Sequence, residues 1–142
     1  MKKQRGLKSN LQVVYSCKYH IVFCPKYRRK VLVGDIEQRL YEITKEVALE
    51  RSVEILEMEC DKDHIHILCE IDPQFGIHKF VKAVKGRSSR LLREEFPSLK
   101  TRLPCLWTHS YFVSTVVGAP LSIVKQYIKN QKRSEHKSKT SA

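Results

Sequence analysis

Two histidines stand two residues apart in a largely apolar stretch, residues 63–70, and could bind one cation together. Side chains alternate between the two faces of a β-strand, so His64 and His66 would share one face while Ile65 and Ile67 point to the other. Two imidazole nitrogens on one face form a partial ligand set for a divalent metal. Strand histidines also occur with only backbone or water as partners, so the pair by itself leaves both interpretations open.

A second candidate cluster lies near the C-terminus, where Tyr127 and Gln131 are four apart in a predicted amphipathic helix. Residues at this spacing are neighbours on one helix face. The phenol oxygen of Tyr127 can act as a nucleophile, and the amide oxygen of Gln131 can bind a metal. Tyr127 alone would also suit a core position with its hydroxyl at the rim. Together with His64 and His66, the cluster predicts a metal-assisted phosphoryl-transfer site with positions open for a phosphate.

These side chains need a sheet and a helix to hold them, and the chain has the patterns of both. Runs of β-branched and aromatic residues predict strands, and apolar residues at helical spacing predict amphipathic helices. The predicted strands are 13–24, 52–61, 64–70 and 106–117, and the predicted helices are 35–51, 77–96 and 120–133. This order predicts an α+β fold: a ferredoxin-like or RRM-like βαββαβ antiparallel sheet with an added C-terminal helix that carries Tyr127. The first and third strands should be neighbours at the sheet centre, and residues 98–105 should form a loop.

Composition favours a nucleic-acid partner. The 142 residues carry 27 Lys and Arg against 15 Asp and Glu, a formal net charge of +12. Such an excess attracts polyanions. No apolar run approaches the roughly 20 residues of a membrane span, so we expect no membrane partner. The length suits one domain over residues 1–142, with a flexible basic arm at 1–10 and a flexible tail at 134–142.

Basic side chains concentrate in the N-terminal arm, in one loop and on one predicted helix. The loop, residues 26–30, has four cations around one tyrosine, a composition suited to phosphates and one stacked base. A solvated surface is the alternative interpretation for each group. The residues predicted to contact DNA are Arg5, Lys26, Tyr27, Arg28, Arg29, Lys30, Lys82, Lys85, Arg87 and Arg90.

The five cysteines have no CxxC spacing and mostly lie in apolar segments, so they are predicted to be small reduced core residues. The first ten residues are basic and polar, without the apolar stretch of a signal peptide. Both features predict the cytoplasm.

Four blocks of the chain, in order, resemble the single-tyrosine transposases of the HUH family, the TnpA type encoded by small bacterial insertion sequences. The blocks are residues 19–30 (YHIVFCPKYRRK), 63–68 (DHIHIL), 85–92 (KGRSSRLL), and Tyr127 with Gln131. The resemblance covers nearly the whole chain, and four ordered blocks are far more specific than a histidine pair.

The resemblance implies that His64, His66 and Gln131 bind Mg2+ or Mn2+ and that Tyr127 is the nucleophile. It implies a 5′-phosphotyrosine intermediate that conserves the energy of the broken bond, so no nucleotide cofactor is expected. The implied substrate is single-stranded DNA with hairpins at the element ends. The implied assembly is a homodimer with strands paired edge to edge. Whether Tyr127 acts in its own subunit or in the partner is left open.

Two other functions compete with this interpretation. A non-catalytic single-stranded nucleic-acid-binding module of RRM-like fold would also suit a basic sheet, although such modules place aromatic residues on the strand where this chain has histidines. A metal-dependent nuclease that uses water would cleave DNA without a covalent protein adduct.

Overall fold

The computed structural model describes residues 8–9, 14–15, 17–116 and 128–129. The strands are β1 (Lys8–Ser9), β2 (Val14–Tyr15), β3 (Lys18–Phe23), β4 (Glu54–Asp61), β5 (His64–Glu70) and β6 (Phe112–Thr115). The helices are α1 (Gly34–Glu50), α2 (Ile77–Glu95) and α3 (Ser98–Arg102), with a 3-10 turn at Lys26–Arg28. Arg5, Tyr127, Gln131, the tail 134–142 and most of the arm 1–10 lie outside the described residues.

The main sheet has four antiparallel strands in the order β4-β5-β3-β6. The predicted βαββαβ order is confirmed, and so is the prediction that the first and third strands are neighbours at the sheet centre. In the β3–β5 register Tyr19 lies opposite Cys69 and Val22 lies opposite His66. This pairing sets β3 and its side chains directly beside the histidine strand.

The core forms where one face of the sheet packs against α1 and α2. Ile65 and Ile67 of β5 are fully buried in the same cluster as Leu40 and Ile43 of α1 and Phe80 of α2. Burying such side chains stabilises the fold by about 1.5–3 kcal/mol each relative to leaving them exposed. The strand alternation that fills this core leaves His64 and His66 on the opposite face.

The first predicted strand, 13–24, is wrong in its extent. The chain forms β3 only from Lys18, because β5 ends at Glu70, the residue that pairs with Lys18. Just before β3, the Cys17 carbonyl accepts a hydrogen bond from the Ile71 N–H at 3.0 Å, beyond the end of β5. Val14 and Tyr15 instead pair with Lys8 and Ser9 in a separate two-stranded sheet.

The segment between α2 and β6 also differs from prediction. The predicted loop 98–105 contains α3, which buries Leu99. The predicted strand 106–117 is reduced to Phe112–Thr115, because Trp107 turns into the core instead. Its indole packs edge-on against Phe23, with ring centroids 4.7 Å apart, and donates a hydrogen bond to the Ser88 hydroxyl at 2.9 Å.

None of the five cysteines forms a disulfide; Cys24 and Cys69 are buried, whereas Cys17, Cys60 and Cys105 are half-buried. Burial raises the pKa of the Cys69 thiol to about 12. Over the residues that the structure describes, no helix combines the length and the apolar character needed to cross a membrane.

Candidate active site

His64 and His66 lie on the face of the sheet away from α1 and α2. Both side chains are half-buried, whereas Ile65 and Ile67 between and beyond them are fully buried. The predicted orientation of the pair is therefore confirmed. Asp61 is the strand partner of His64 and Glu59 that of His66, so carboxylates border the imidazoles along β4.

Asp63 fixes the ring of His64. The Nδ1 of His64 lies 2.9 Å from Asp63 Oδ1, and a carboxylate can only accept, so Nδ1 is the protonated nitrogen. In the neutral ring Nε2 then carries the lone pair that a metal needs. Burial raises the pKa of Asp63, but hydrogen bonds from His64 and Arg28 outweigh burial and bring this pKa below its usual value. The carboxylate is therefore ionised at neutral pH.

His66 has a histidine partner of its own, His20 on β3. The two rings stack with centroids 5.1 Å apart and an interplanar angle of 16°. His20 Nδ1 lies 2.9 Å from His66 Nε2, so one proton is shared between these two nitrogens. Burial and the neighbouring His20 lower the pKa of His66 and favour its neutral form. A metal that binds His66 must use Nδ1 or take the place of the His20 contact at Nε2.

The donor set suits a hard divalent cation that also accepts imidazole. Ligand atoms of Asp61, Asp63 and His64 all lie within 4.8 Å of one another. Carboxylate oxygens are preferred by Mg2+ and Mn2+, and imidazole is compatible with several divalent metals. The carboxylates of Asp61 and Asp63 and the imidazole of His64 therefore fit a divalent metal beside His64. His66 is not part of this group, and the predicted oxygen ligand Gln131 lies outside the described residues.

Arg28, one of the predicted DNA contacts, lies against Asp63 at the start of the histidine strand. Its Nε and Nη2 both donate to Asp63 Oδ2, and its Nη1 donates to the Ile128 carbonyl at 2.9 Å. Arg28 and Tyr27 have φ angles of 51° and 59°, in the left-handed region that few non-glycine residues adopt. This backbone turns the guanidinium back toward Asp63.

The other residues of the basic loop differ in exposure, and Tyr27 packs against the edge of the core. Lys26 lies over the ring of Tyr27, 5.4 Å from its centroid, and both are half-buried. Arg29 and Lys30 are exposed. The predicted contact of these four residues with DNA stays a prediction.

The basic residues predicted on α2 divide into two kinds. Lys82 and Arg90 are exposed, whereas Arg87 forms an ion pair with Glu50 of α1, with an Nη1 to Oε2 distance of 2.6 Å. Lys85 is half-buried and its ammonium donates to the carbonyl of Thr108 at 2.6 Å. Arg87 and Lys85 therefore have structural partners that the sequence did not indicate.

An open groove of about 530 Å³ runs between α2 and the segment that leads to β6. Lys82 and Lys85 supply positive charge on the helix side. His109 and Tyr111 supply rings on the other side, and the Tyr111 hydroxyl lies 3.0 Å from His78 Nδ1. Cations beside aromatic rings form a surface suited to nucleic acid.

Sequence reasoning missed His20, Asp63 and Glu59 as neighbours of the histidine pair. Asp63 adjoins His64 in the sequence, and its position before a strand histidine was the available signal. His20 is 46 residues from His66 and no local pattern connects them.

Comparisons with known proteins agree on one family. The family model described as "Transposase IS200 like" matches residues 13–131. The ISDra2 transposase TnpA of Deinococcus radiodurans is 38% identical over 133 residues, which cover 92% of this chain and 91% of that protein. The transposase for insertion sequence element IS200 of Salmonella typhimurium is 40% identical over 126 residues, which cover 87% of this chain and 82% of that protein.

Solved structures give the same answer for the fold. A crystal structure of a Deinococcus radiodurans protein assigned as a transposase is 38% identical, with a TM-score of 0.78, and covers 92% of this chain and 98% of its own. A REP-associated tyrosine transposase bound to a REP hairpin matches with a TM-score of 0.55 at 11% identity, over 85% of this chain and 67% of its own. At that identity the second likeness concerns the fold alone.

Proposed function

Because the chain belongs to the IS200-like transposase family, we propose that it cleaves and rejoins single-stranded DNA at the ends of an insertion sequence through a covalent tyrosine intermediate. Tyr127 is the proposed nucleophile, and His64, His66 and Gln131 are the proposed ligands of Mg2+ or Mn2+. The observation that carries the proposal is the histidine pair on the open sheet face, with the ring of His64 fixed by Asp63. A carboxylate that accepts from Nδ1, as Asp63 does from His64, is a common partner of a metal-binding histidine and supports this role for His64.

The reaction follows from the chemistry of these groups. The Tyr127 oxygen attacks phosphorus, an O–P bond forms to the 5′-phosphate, and the bond to the 3′-oxygen breaks. The tyrosine hydroxyl loses its proton, and the departing 3′-oxygen gains one. When bound, the metal supplies Lewis acidity to the scissile phosphate. The phosphotyrosine bond keeps the energy of the broken phosphodiester, so another 3′-hydroxyl can reverse the attack without a nucleotide cofactor.

Adduct formation is the direct test. The protein is incubated with a labelled, hairpin-bearing single strand and Mg2+ or Mn2+, and a denaturation-resistant protein–DNA adduct is expected. Tyr127→Phe should abolish the adduct, and a chelator or His64→Ala with His66→Ala should abolish cleavage. Tyr41→Phe is a matched control, since the Tyr41 hydroxyl bonds Glu37 and the backbone of Cys60 on the helix-packed side of the fold.

The two rival functions give different results in the same assay. A binding module yields neither product nor adduct, and a water-using nuclease yields product without adduct. An adduct that survives Tyr127→Phe contradicts the assignment of the nucleophile. Cleavage that is insensitive to chelator contradicts the role of the metal.

We assign DNA binding to two surfaces. The basic loop 26–30 lies close to the histidine strand through Arg28, so we propose that it guides the single strand to the site. The groove beside α2, with Lys82 at its wall, lies on the other side of the sheet, and we propose that it binds the hairpin. A transposase of this fold has been solved with a REP hairpin.

A homodimer through the outer edge of β6 is the proposed assembly. The other edge of the described sheet, β4, exposes Glu57, Glu59 and Asp61, and pairing two such edges would oppose like charges. Just after β6, the Val116 N–H donates to the Lys18 carbonyl of β3 at 3.1 Å. Successive N–H groups of a strand point to opposite sides, so the Thr115 N–H points away from β3. Among the described residues no strand pairs with this side of β6, so we propose that this donor binds a partner strand.

The edge assignment is tested by blocking one donor. Thr115→Pro removes the outward N–H and should convert dimer to monomer in sedimentation velocity, whereas Thr115→Val keeps the donor and should remain dimeric. A dimeric Thr115→Pro protein would place the interface elsewhere. Mixing Tyr127→Phe with His64→Ala chains then tests the composite site, since recovered adduct requires ligand and nucleophile from different subunits.

The bacterial cytoplasm is the proposed compartment, because the proposed substrate is DNA and none of the five cysteines forms a disulfide.

A further inference from the structure

Arg28 connects two parts of the chain that the proposed reaction needs together. Two of its nitrogens donate to Oδ2 of Asp63, whose Oδ1 accepts from His64. Its third nitrogen donates to the main-chain carbonyl of Ile128 at 2.9 Å. One guanidinium therefore links the carboxylate that orients His64 to the residue that follows Tyr127 in the chain.

The surroundings of this link distinguish it from a surface ion pair. The side chains of Arg28 and Asp63 are only 15% and 14% exposed, and that of His64 is 20% exposed. Partly buried, charge-assisted hydrogen bonds with a planar guanidinium hold geometry better than exposed pairs, which contribute little. The left-handed backbone at Tyr27 and Arg28 costs free energy, and such conformations persist where surrounding contacts hold them.

We propose that Arg28 is a positioning residue that fixes the main chain at Ile128 relative to the metal-ligand strand. This role rests on the proposed function, in which Tyr127 attacks and His64 binds metal. The Ile128 carbonyl is one residue from Tyr127, so anchoring it restricts where the tyrosine oxygen can lie. Phosphoryl transfer depends steeply on such placement.

The competing role is the one predicted from sequence, in which Arg28 is a cation that holds a DNA phosphate. The two roles differ in what a substitution changes. A phosphate contact sets DNA affinity and its salt dependence, whereas a positioning contact sets the order of the Ile128 segment and the rate of attack. Arg29 is the matched comparison, since it is the next residue and is exposed.

The first measurement needs neither metal nor DNA. Hydrogen exchange of a peptide that includes Ile128 and Lys129 is compared in wild type, Arg28→Gln and Arg29→Gln. Exchange should accelerate in Arg28→Gln and stay at the wild-type rate in Arg29→Gln. Arg28→Lys keeps the charge but cannot make all three contacts, so it should also accelerate exchange. Unchanged exchange in both Arg28 variants overturns the proposal.

The second measurement separates rate from affinity. With saturating DNA, adduct formation by Arg28→Gln should be slower by about 10–100-fold, while its affinity for the single strand should change less than that of Arg29→Gln. The proposal is overturned in favour of a phosphate contact if Arg28→Gln binds DNA more weakly and with a smaller salt dependence, yet forms the adduct at the wild-type rate when DNA is saturating. Circular dichroism checks that Arg28→Gln is folded, and Arg28→Lys provides the same test if it is not.

Failure of this inference and failure of the proposed function are distinguishable. An adduct that persists in Tyr127→Phe contradicts the function, while the exchange experiment still reports on the Arg28 contact. A normal tyrosine-dependent adduct with wild-type rate and exchange in Arg28→Gln contradicts only the positioning role.

Discussion

Lys85 was predicted from the sequence to contact DNA, but its contacts in the structure predict that it stabilises the fold. Its ammonium donates to the carbonyls of Thr108, His109 and Ser110 at 2.6, 3.4 and 3.3 Å. It also lies 5.9 Å from the ring centroid of Phe23. These carbonyls belong to the segment that leads into β6, so Lys85 fastens that segment to α2. We therefore expect Lys85→Met to destabilise the protein.

The magnitude follows from the number and quality of these contacts. One short hydrogen bond to a charged donor contributes about 1.5–3 kcal/mol, and the two longer ones add little. Burial lowers the pKa of Lys85, so the ammonium already carries a desolvation cost and the lower end is expected. Methionine retains most of the packing of the aliphatic stem. We predict a loss of about 2 kcal/mol in unfolding free energy, or about 6 °C in Tm.

The assay pairs urea denaturation with hairpin binding at several salt concentrations. Lys82→Met, one turn earlier on α2 and exposed in the same groove, is the matched variant. It should keep wild-type stability but weaken hairpin binding and reduce the salt slope by about 1. The reasoning is refuted if Lys85→Met is as stable as wild type and loses DNA affinity in the manner expected of Lys82→Met.

Three further predictions concern stability. Trp107→Phe and Ser88→Ala each remove one partner of a buried hydrogen bond. A double-mutant cycle measured by urea denaturation should therefore show a coupling free energy of about 1 kcal/mol. Additive effects of the two substitutions would contradict this coupling. The pKa of Asp63 is lowered on folding, so its contribution is complete above the unfolded pKa of about 3.9 and is lost as pH falls through the folded value. Asp63→Asn should therefore make Tm fall less steeply as the pH is lowered. An unchanged fall in Tm would contradict this contribution of Asp63 to stability. Ile67 is fully buried, so Ile67→Ala should lower the free energy of unfolding by about 2–5 kcal/mol in urea denaturation. Leu49 is 84% exposed, so Leu49→Ala should change the same free energy by no more than about 0.5 kcal/mol. Equal losses in the two variants would contradict the core assignment.

The periodicity of apolar residues in the sequence determined the order of strands and helices and the shared face of His64 and His66. Alternation along residues 64–70 was enough to set His64 and His66 on one face and Ile65 on the other, because side-chain direction in a strand depends only on position. Helical periodicity likewise predicted two amphipathic helices, and α1 and α2 each bury one apolar face. Tyr127 and Gln131 lie outside the described residues, so their roles stay predictions.

What only the tertiary structure decided is which side chains become partners. His20 meets His66 because β3 pairs with β5 in one particular register, and that register is set by contacts between distant strands. Arg28 and Arg29 have the same chemistry and adjacent positions, yet only Arg28 reaches Asp63, 35 residues away. Charge patterns in the sequence report how many cations a segment has, but burial and hydrogen-bond geometry decide whether a cation meets DNA or positions the site.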